Sequence, residues 1–246
     1  MIQKFFHNIL VAAFLCAPIL VFAQTDQMLL EQKSYGFGLM VKSNGIGLNY
    51  QQQVATNKRF GRYYYADFGS FKHTNESKIV NHKVENKMPF VYGKMFHTAT
   101  IRGALGVSLR LTKPSKLNNI AVDLQAATGF TLGVQRPVYL RIETIENDQK
   151  TVKNVPYTRE LVPNSENIIG YAKNGEGWSE LKYRPGMAGV FNIAFSWDQY
   201  AQVAKRLNLG ASLDYYPQGL PIMAFRPNPK LNATFFVGFM WVINQG

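Results

Sequence analysis

The sequence predicts an all-β protein whose strands close into an antiparallel transmembrane barrel of about eight strands. Three observations predict it: an export-type N-terminus, strands with period-two alternation, and connections that alternate between short and long.

One lysine, Lys4, precedes an apolar run from Ile9 to Phe22, which ends in Val21-Phe22-Ala23 before Gln24. That is the layout of a secretory signal cleaved after Ala23. The run is short for a membrane-spanning helix, which needs about 20 apolar residues. Residues 1 to 23 are therefore set aside, and residues 24 to 246 are read as one barrel domain. Cys16 leaves with the signal, and Leu15 before it and Ala17-Pro18 after it do not suit lipid attachment. The mature chain then has no cysteine, which excludes disulfides and thiol chemistry. Losing Lys4 takes Lys+Arg from 27 to 26 against 15 Asp+Glu, a net charge of +11.

No later stretch resembles a membrane helix, so an exported chain that spans a membrane must do so as a closed barrel. Tyr35, Phe37, Leu39, Val41 and Ile46, Leu48, Tyr50 mark two strands around Ser43-Asn44-Gly45, and Phe60 to Phe71 is an aromatic third. Ile101, Leu105, Val107, Leu109 alternate with Thr100, Arg102, Ala104, Gly106, Ser108 and Arg110. The longest run sets Ile120, Val122, Leu124, Phe130, Leu132 and Val134 against Ala121, Asp123, Gln125, Gly129, Thr131 and Gly133. Met187 to Trp197, Leu207 to Tyr215 and Leu231 to Ile243 repeat the pattern. A period of two over such lengths means strand. The total is eight strands, or ten if a hairpin lies within the long segment after Glu143.

Small barrels pair short periplasmic turns with longer outer loops. With the N-terminus in the periplasm, the turns Val54 to Arg59, Thr112 to Asn119 and Gln199 to Lys205 are short. The opposite end receives Thr74 to Met88, Pro217 to Asn228 and a long surface loop from about 143 to 183, with only Asn44-Gly45 tight. A soluble sandwich would also alternate apolar with polar. The second phase here is rich in Gly, Ala, Ser and Thr, which suits a narrow lumen filled by side chains. Tyr35, Tyr50, Tyr139, Trp197, Tyr215 and Trp241 fall near strand ends and are expected to form the aromatic girdle of a membrane barrel.

Arg102, Arg110, Asp123 and Asp214 share the inward phase, joined by Asp67 if its register is read correctly. Ions inside a narrow barrel must pair or meet water, so these residues are expected to form a lumen charge network that plugs the barrel. Proline at Arg136-Pro137 and Leu220-Pro221 fits strand ends, where no ladder donor is required.

Enzyme chemistry has one local candidate, His73 with Glu76 and Ser77, but closeness along a loop is not a triad. Loop polarity explains these residues without catalysis. His73, His82 and His97 lack metal-ligand spacing, and no cofactor motif is present. Residues 143 to 182 carry 5 basic and 7 acidic groups, so the largest loop is not a polycation. Residues 72 to 94 are net +3 (5 basic, 2 acidic), which could suit anionic lipid headgroups or polysaccharide, although lysines that simply solvate a loop are the plainer explanation. No nucleic-acid module is present.

Four segments, Gly69-Ser70-Phe71-Lys72-His73-Thr74-Asn75-Glu76, Tyr92-Gly93-Lys94, Gln135-Arg136-Pro137-Val138-Tyr139-Leu140 and Leu220-Pro221-Ile222-Met223-Ala224-Phe225, resemble the uncharacterised outer-membrane β-barrel proteins of Bacteroidetes-type bacteria. The resemblance implies a barrel without an assigned active site; Thr74 departs from the Pro expected after His73.

Three functional classes follow. The favoured one is a structural or surface-interaction barrel in the outer membrane, with outer-membrane lipid and envelope or surface proteins as partners. The others are an accessory subunit of an envelope transport or secretion machine, and a lipid-modifying enzyme.

Overall fold

The computed structural model describes residues 33–82, 88–112, 120–146, 149–158, 167–172, 175–197 and 202–245. Residues 1 to 23, expected to be a signal and holding Cys16, lie outside the described residues, as do Asp198 and most of Arg159 to Asn167.

Eight strands form the barrel: β1 (Lys33–Lys42), β2 (Gly45–Ala55), β3 (Phe60–Phe71), β6 (Phe96–Arg110), β7 (Ile120–Pro137), β11 (Lys182–Trp197), β12 (Val203–Tyr215) and β13 (Leu231–Gln245). Their order around the wall is β1-β13-β12-β11-β7-β6-β3-β2, every pair antiparallel, and β1 pairs with both β2 and β13 to close it. Closure leaves no open edge, so every strand finds ladder partners without water. The strand count and closure agree with the alternation read from the sequence.

The alternation becomes a radial sorting. Phe130, Phe235, Val41, Ile46 and Leu105 stand on the outer wall, each more than three-fifths exposed. Thr100, Arg102, Ser108, Asp123, Gln125, Asn192, Asn208 and Asp214 are buried inside. This is the inverse of a soluble barrel, since a continuous apolar outer wall is stable only against lipid. The lumen is less polar than the second phase suggests. Met40, Tyr63, Tyr65, Ala104, Ala127, Val190 and Phe236 pack together across its middle. Some inward positions therefore carry large apolar groups, because eight strands leave a bore that side chains must fill.

Three short connections gather at one end with the described chain termini, and the long ones lie at the other together with the tight β1–β2 turn at 43–44. The long ones are not irregular. A two-stranded ribbon, β4 (Lys78–Ile79) with β5 (Phe90–Val91), follows β3. The segment after β7 folds as a sheet of β10 (Ile168–Tyr171), β8 (Tyr139–Glu146) and β9 (Gln149–Pro156), followed by a 3-10 turn at Trp178–Glu180. The hairpin allowed for within the long loop exists, but it forms its own sheet above the barrel and leaves the barrel count at eight.

Candidate functional site

The lumen is organised in levels. Near the long-loop end, β6 points Arg102 inward opposite Asp67 of β3, its cross-strand partner. Arg102 Nη1 donates to both carboxylate oxygens of Asp67 at 2.9 and 2.7 Å. Its Nε and Nη2 donate to Asp214 of β12 at 2.7 and 2.6 Å. Lys42 Nζ of β1 reaches Asp67 Oδ1 at 2.6 Å, and the Tyr65 hydroxyl donates to Oδ2 at 2.9 Å. Two cations and two carboxylates are thus tied into a neutral cluster joining β1, β3, β6 and β12, with side chains at most 1 % exposed. A planar guanidinium suits this role because its fork binds two carboxylates at once.

Below the apolar layer, Asn192 donates to Gln125 at 2.7 Å and to Asn208 at 3.0 Å. Arg110 donates to Asp123 at 2.9 Å near the short-turn end, with its side chain 31 % exposed. The four charged residues singled out in the sequence therefore separate into two sites, Arg102 with Asp214 and Arg110 with Asp123. Asp67 belongs to the first. Lys42 and Arg206 also point inward and were not singled out. Each continues a recognised alternation by one step, Lys42 beyond Met40 and Arg206 before Asn208, and that phase was the available signal.

Above the barrel the four segments quoted for the family resemblance meet. Lys94 Nζ lies 2.5 Å from Glu76 Oε2, and both side chains are nearly buried. Gly93, at φ 81°, turns the chain so that Lys94 bridges Met223 and the Gly93 carbonyl accepts from Ala224 N at 2.7 Å. Met95 N donates to the Ile222 carbonyl, and Val138 N to that of Met95, both at 2.9 Å. Gln135 Nε2 donates to the Pro221 carbonyl at 2.5 Å, and Tyr92 stacks on Phe225 with centroids 5.7 Å apart. Two apolar clusters complete this cap, one around Phe90, Leu140 and Ile168, the other around Phe71, Tyr216 and Ile222. Pro221 thus sits in the cap rather than at a strand end. Burial pushes the Tyr157 hydroxyl up to about 12 and also raises Tyr171, so both stay neutral within the cap.

His73 is committed to backbone groups of its own loop and of the β12–β13 connection. Its Nδ1 accepts from Asn75 N at 3.2 Å, its Nε2 faces the Pro227 carbonyl at 3.4 Å, and Glu76 is held by Lys94. No hydrogen bond joins His73 to Ser77 among the described residues.

The aromatic positions divide. Tyr35, Trp197 and Trp241 lie on barrel strands toward the short-turn end, and Tyr215 closes β12 at the other. Tyr50 lies in the middle of β2, its ring centroid 4.9 Å from that of Phe37. Tyr139 lies in β8 of the cap sheet, where its hydroxyl donates to Glu180. It follows the Pro137 break, beyond the membrane wall.

These features define the class: a closed eight-stranded β-barrel of the outer-membrane type, with side chains packed across its lumen and a folded cap. No protein-family model matches the chain, and no curated protein matches its sequence. Three solved structures overlap most of it. Ail, the attachment invasion locus protein of Yersinia pestis, solved with the heparin analogue sucrose octasulfate, is 9% identical over 87% of this chain and 100% of its own, at a TM-score of 0.41. Neisserial surface protein A is 8% identical over 86% and 94%, at 0.34. A major outer membrane protein from Thermus thermophilus is 8% identical over 87% and 99%, at 0.45. The class itself rests on the closure, strand order and outer wall of this chain.

Proposed function

We propose that this chain is an outer-membrane barrel, exported by a signal segment removed after Ala23, whose lumen is a structural plug and whose capped end carries a surface-interaction role. One observation carries the reading: the long connections at one end fold into a single packed cap over a charge-neutral lumen cluster. A conducting pore would keep a continuous wet path. Tyr63, Met40 and Phe236 occupy the bore instead. The cap is fixed to the barrel by hydrogen bonds from Phe96 N and Gln135 Nε2 to the 221–222 segment, which suits a surface that presents a defined shape to envelope or surface proteins and to outer-membrane lipid. Four of the segments that meet in it are those that resemble Bacteroidetes-type barrels, which supports a kinship with that group.

Fractionation of expressing cells tests the reading. The mature protein is expected in the outer membrane, with an unheated form that migrates differently on a gel from the heated one. Labelling of intact cells should reach cap residues such as Lys153. Recovery as a soluble periplasmic protein would overturn it.

A further inference from the structure

The two ends of the lumen differ in charge balance. Lys42 and Arg102 are matched by Asp67 and Asp214 at one end. At the other, among the described residues, Arg110 and Arg206 face a single carboxylate, Asp123, which Arg110 occupies. Arg206 is only 4% exposed. Its Nε donates to Ser196 Oγ at 2.8 Å and its Nη2 contacts Gln53 Oε1 at 3.4 Å, both neutral acceptors. Among the described residues no carboxylate lies within ion-pair distance of it. A buried guanidinium without a counter-ion is costly.

Arg206 opens onto a cavity of about 170 Å³ at the short-turn mouth of the barrel. The β2–β3 turn supplies Lys58 and Arg59 to its rim, and Arg110 lines the wall. Among the described residues, four cations therefore surround one space, against one carboxylate beside it. The space is partly open at the mouth and has room for a small anion together with waters.

We propose that this mouth is a binding site for a tetrahedral oxyanion of the phosphate class, with Arg206 as the buried ligand and Lys58 and Arg59 as the rim. A doubly charged oxyanion matches the excess of positive charge, and its oxygens suit the guanidinium fork. The source is a free phosphate or a phosphate-bearing lipid headgroup. The site stands on the lumen geometry; that it faces the periplasm rests on the insertion proposed above.

The test titrates inorganic phosphate into the full mature protein in uncharged detergent at low salt, with chloride at matched ionic strength as control. One saturable site is expected, with thermal stabilisation that chloride does not reproduce. Arg206→Gln should weaken it about tenfold or more, the scale of one lost charge-assisted contact. If that variant fails to fold, the Lys58→Gln/Arg59→Gln pair, which alters only the rim, decides the matter by the same weakening. Nanodiscs with phosphatidic acid that abolish phosphate uptake, where phosphatidylcholine does not, identify the lipid as source; uptake in both identifies free phosphate. Equal stabilisation by chloride, or phosphate binding unchanged in the folded variants, overturns the site. So does binding that appears only after Asp198→Asn, since Asp198 would then be the resident counter-ion. Fractionation reports on insertion separately, so failure of the site and failure of the outer-membrane reading are distinguishable.

Discussion

Arg102 of β6 holds Asp214 of β12 across the lumen in a two-pronged pair at 2.7 and 2.6 Å, although two other strands separate them along the wall. The same guanidinium holds Asp67 on the neighbouring strand. The pair is therefore a strut across the bore. Arg102→Met would leave two buried carboxylates sharing Lys42. Removing one partner of a buried pair costs about 3–5 kcal/mol, so the urea midpoint of the heat-modifiable form should fall sharply. A midpoint unchanged from the parent would mean that water already solvates these groups.

The outer wall offers a direct test of what surrounds the barrel. Phe130 sits mid-strand in β7 and is 76% exposed. In a bilayer, Phe130→Arg near mid-depth should cost about 2–4 kcal/mol. On a water-facing wall the same change would be close to neutral. Folding yield and urea unfolding in phosphatidylcholine vesicles separate the two outcomes.

Glu76 and Lys94 bind the first long connection to the cap rather than to the barrel wall. Lys94→Met strands the Glu76 carboxylate and should loosen the cap while the barrel stays closed. Trypsin treatment of intact cells is expected to cut the variant within 138 to 181 faster than the parent, with heat-modifiable migration retained. Identical cleavage would show that the apolar clusters hold the cap alone.

Two glycines of β6 should respond in opposite ways. A Cβ on Gly106 would lie 1.9 Å from the Ala126 carbonyl oxygen, a backbone atom that cannot move aside, whereas one on Gly103 meets nothing within 4 Å. Gly106→Ala should lower the unfolding midpoint or abolish folding. Gly103→Ala should leave the midpoint close to that of the parent. Equal effects would mean that the β6–β7 ladder tolerates displacement.

Much of the barrel was legible because its signal is local. Ile120 to Val134 declares a strand by alternation alone, and the short connections at 54–59, 112–119 and 199–205 mark one end by their length. The inward phase also placed Arg102 and Asp214 on lumen-facing positions, because parity along a strand decides which side a residue faces. Parity says nothing about which lumen residues lie at the same height. Whether Arg102 would meet Asp214 or Asp123 depends on the stagger among strands distant in sequence. Lys42 and Arg206 stayed hidden for a related reason: Lys42 closes β1 and Arg206 falls one residue before the segment Leu207 to Tyr215 that alternation marks, and element boundaries are least readable.

The cap was the least legible part. Its segments lack long periodicity, and its cohesion comes from contacts between residues far apart, such as Gln135 with Pro221 and Tyr92 with Phe225. Tyr139 reads as an interfacial aromatic by position, yet the break at Pro137 lifts it into a separate sheet.

By itself the sequence determined the strands, their inward and outward faces, and which end carries the long connections, since these follow from nearest-neighbour alternation and chain length. Only the tertiary structure decided the partners of the lumen charges, the apolar layer at mid-bore and the joining of four dispersed segments into one cap. Those depend on strand stagger and packing between residues distant in sequence, which closure of the barrel sets and no local pattern encodes.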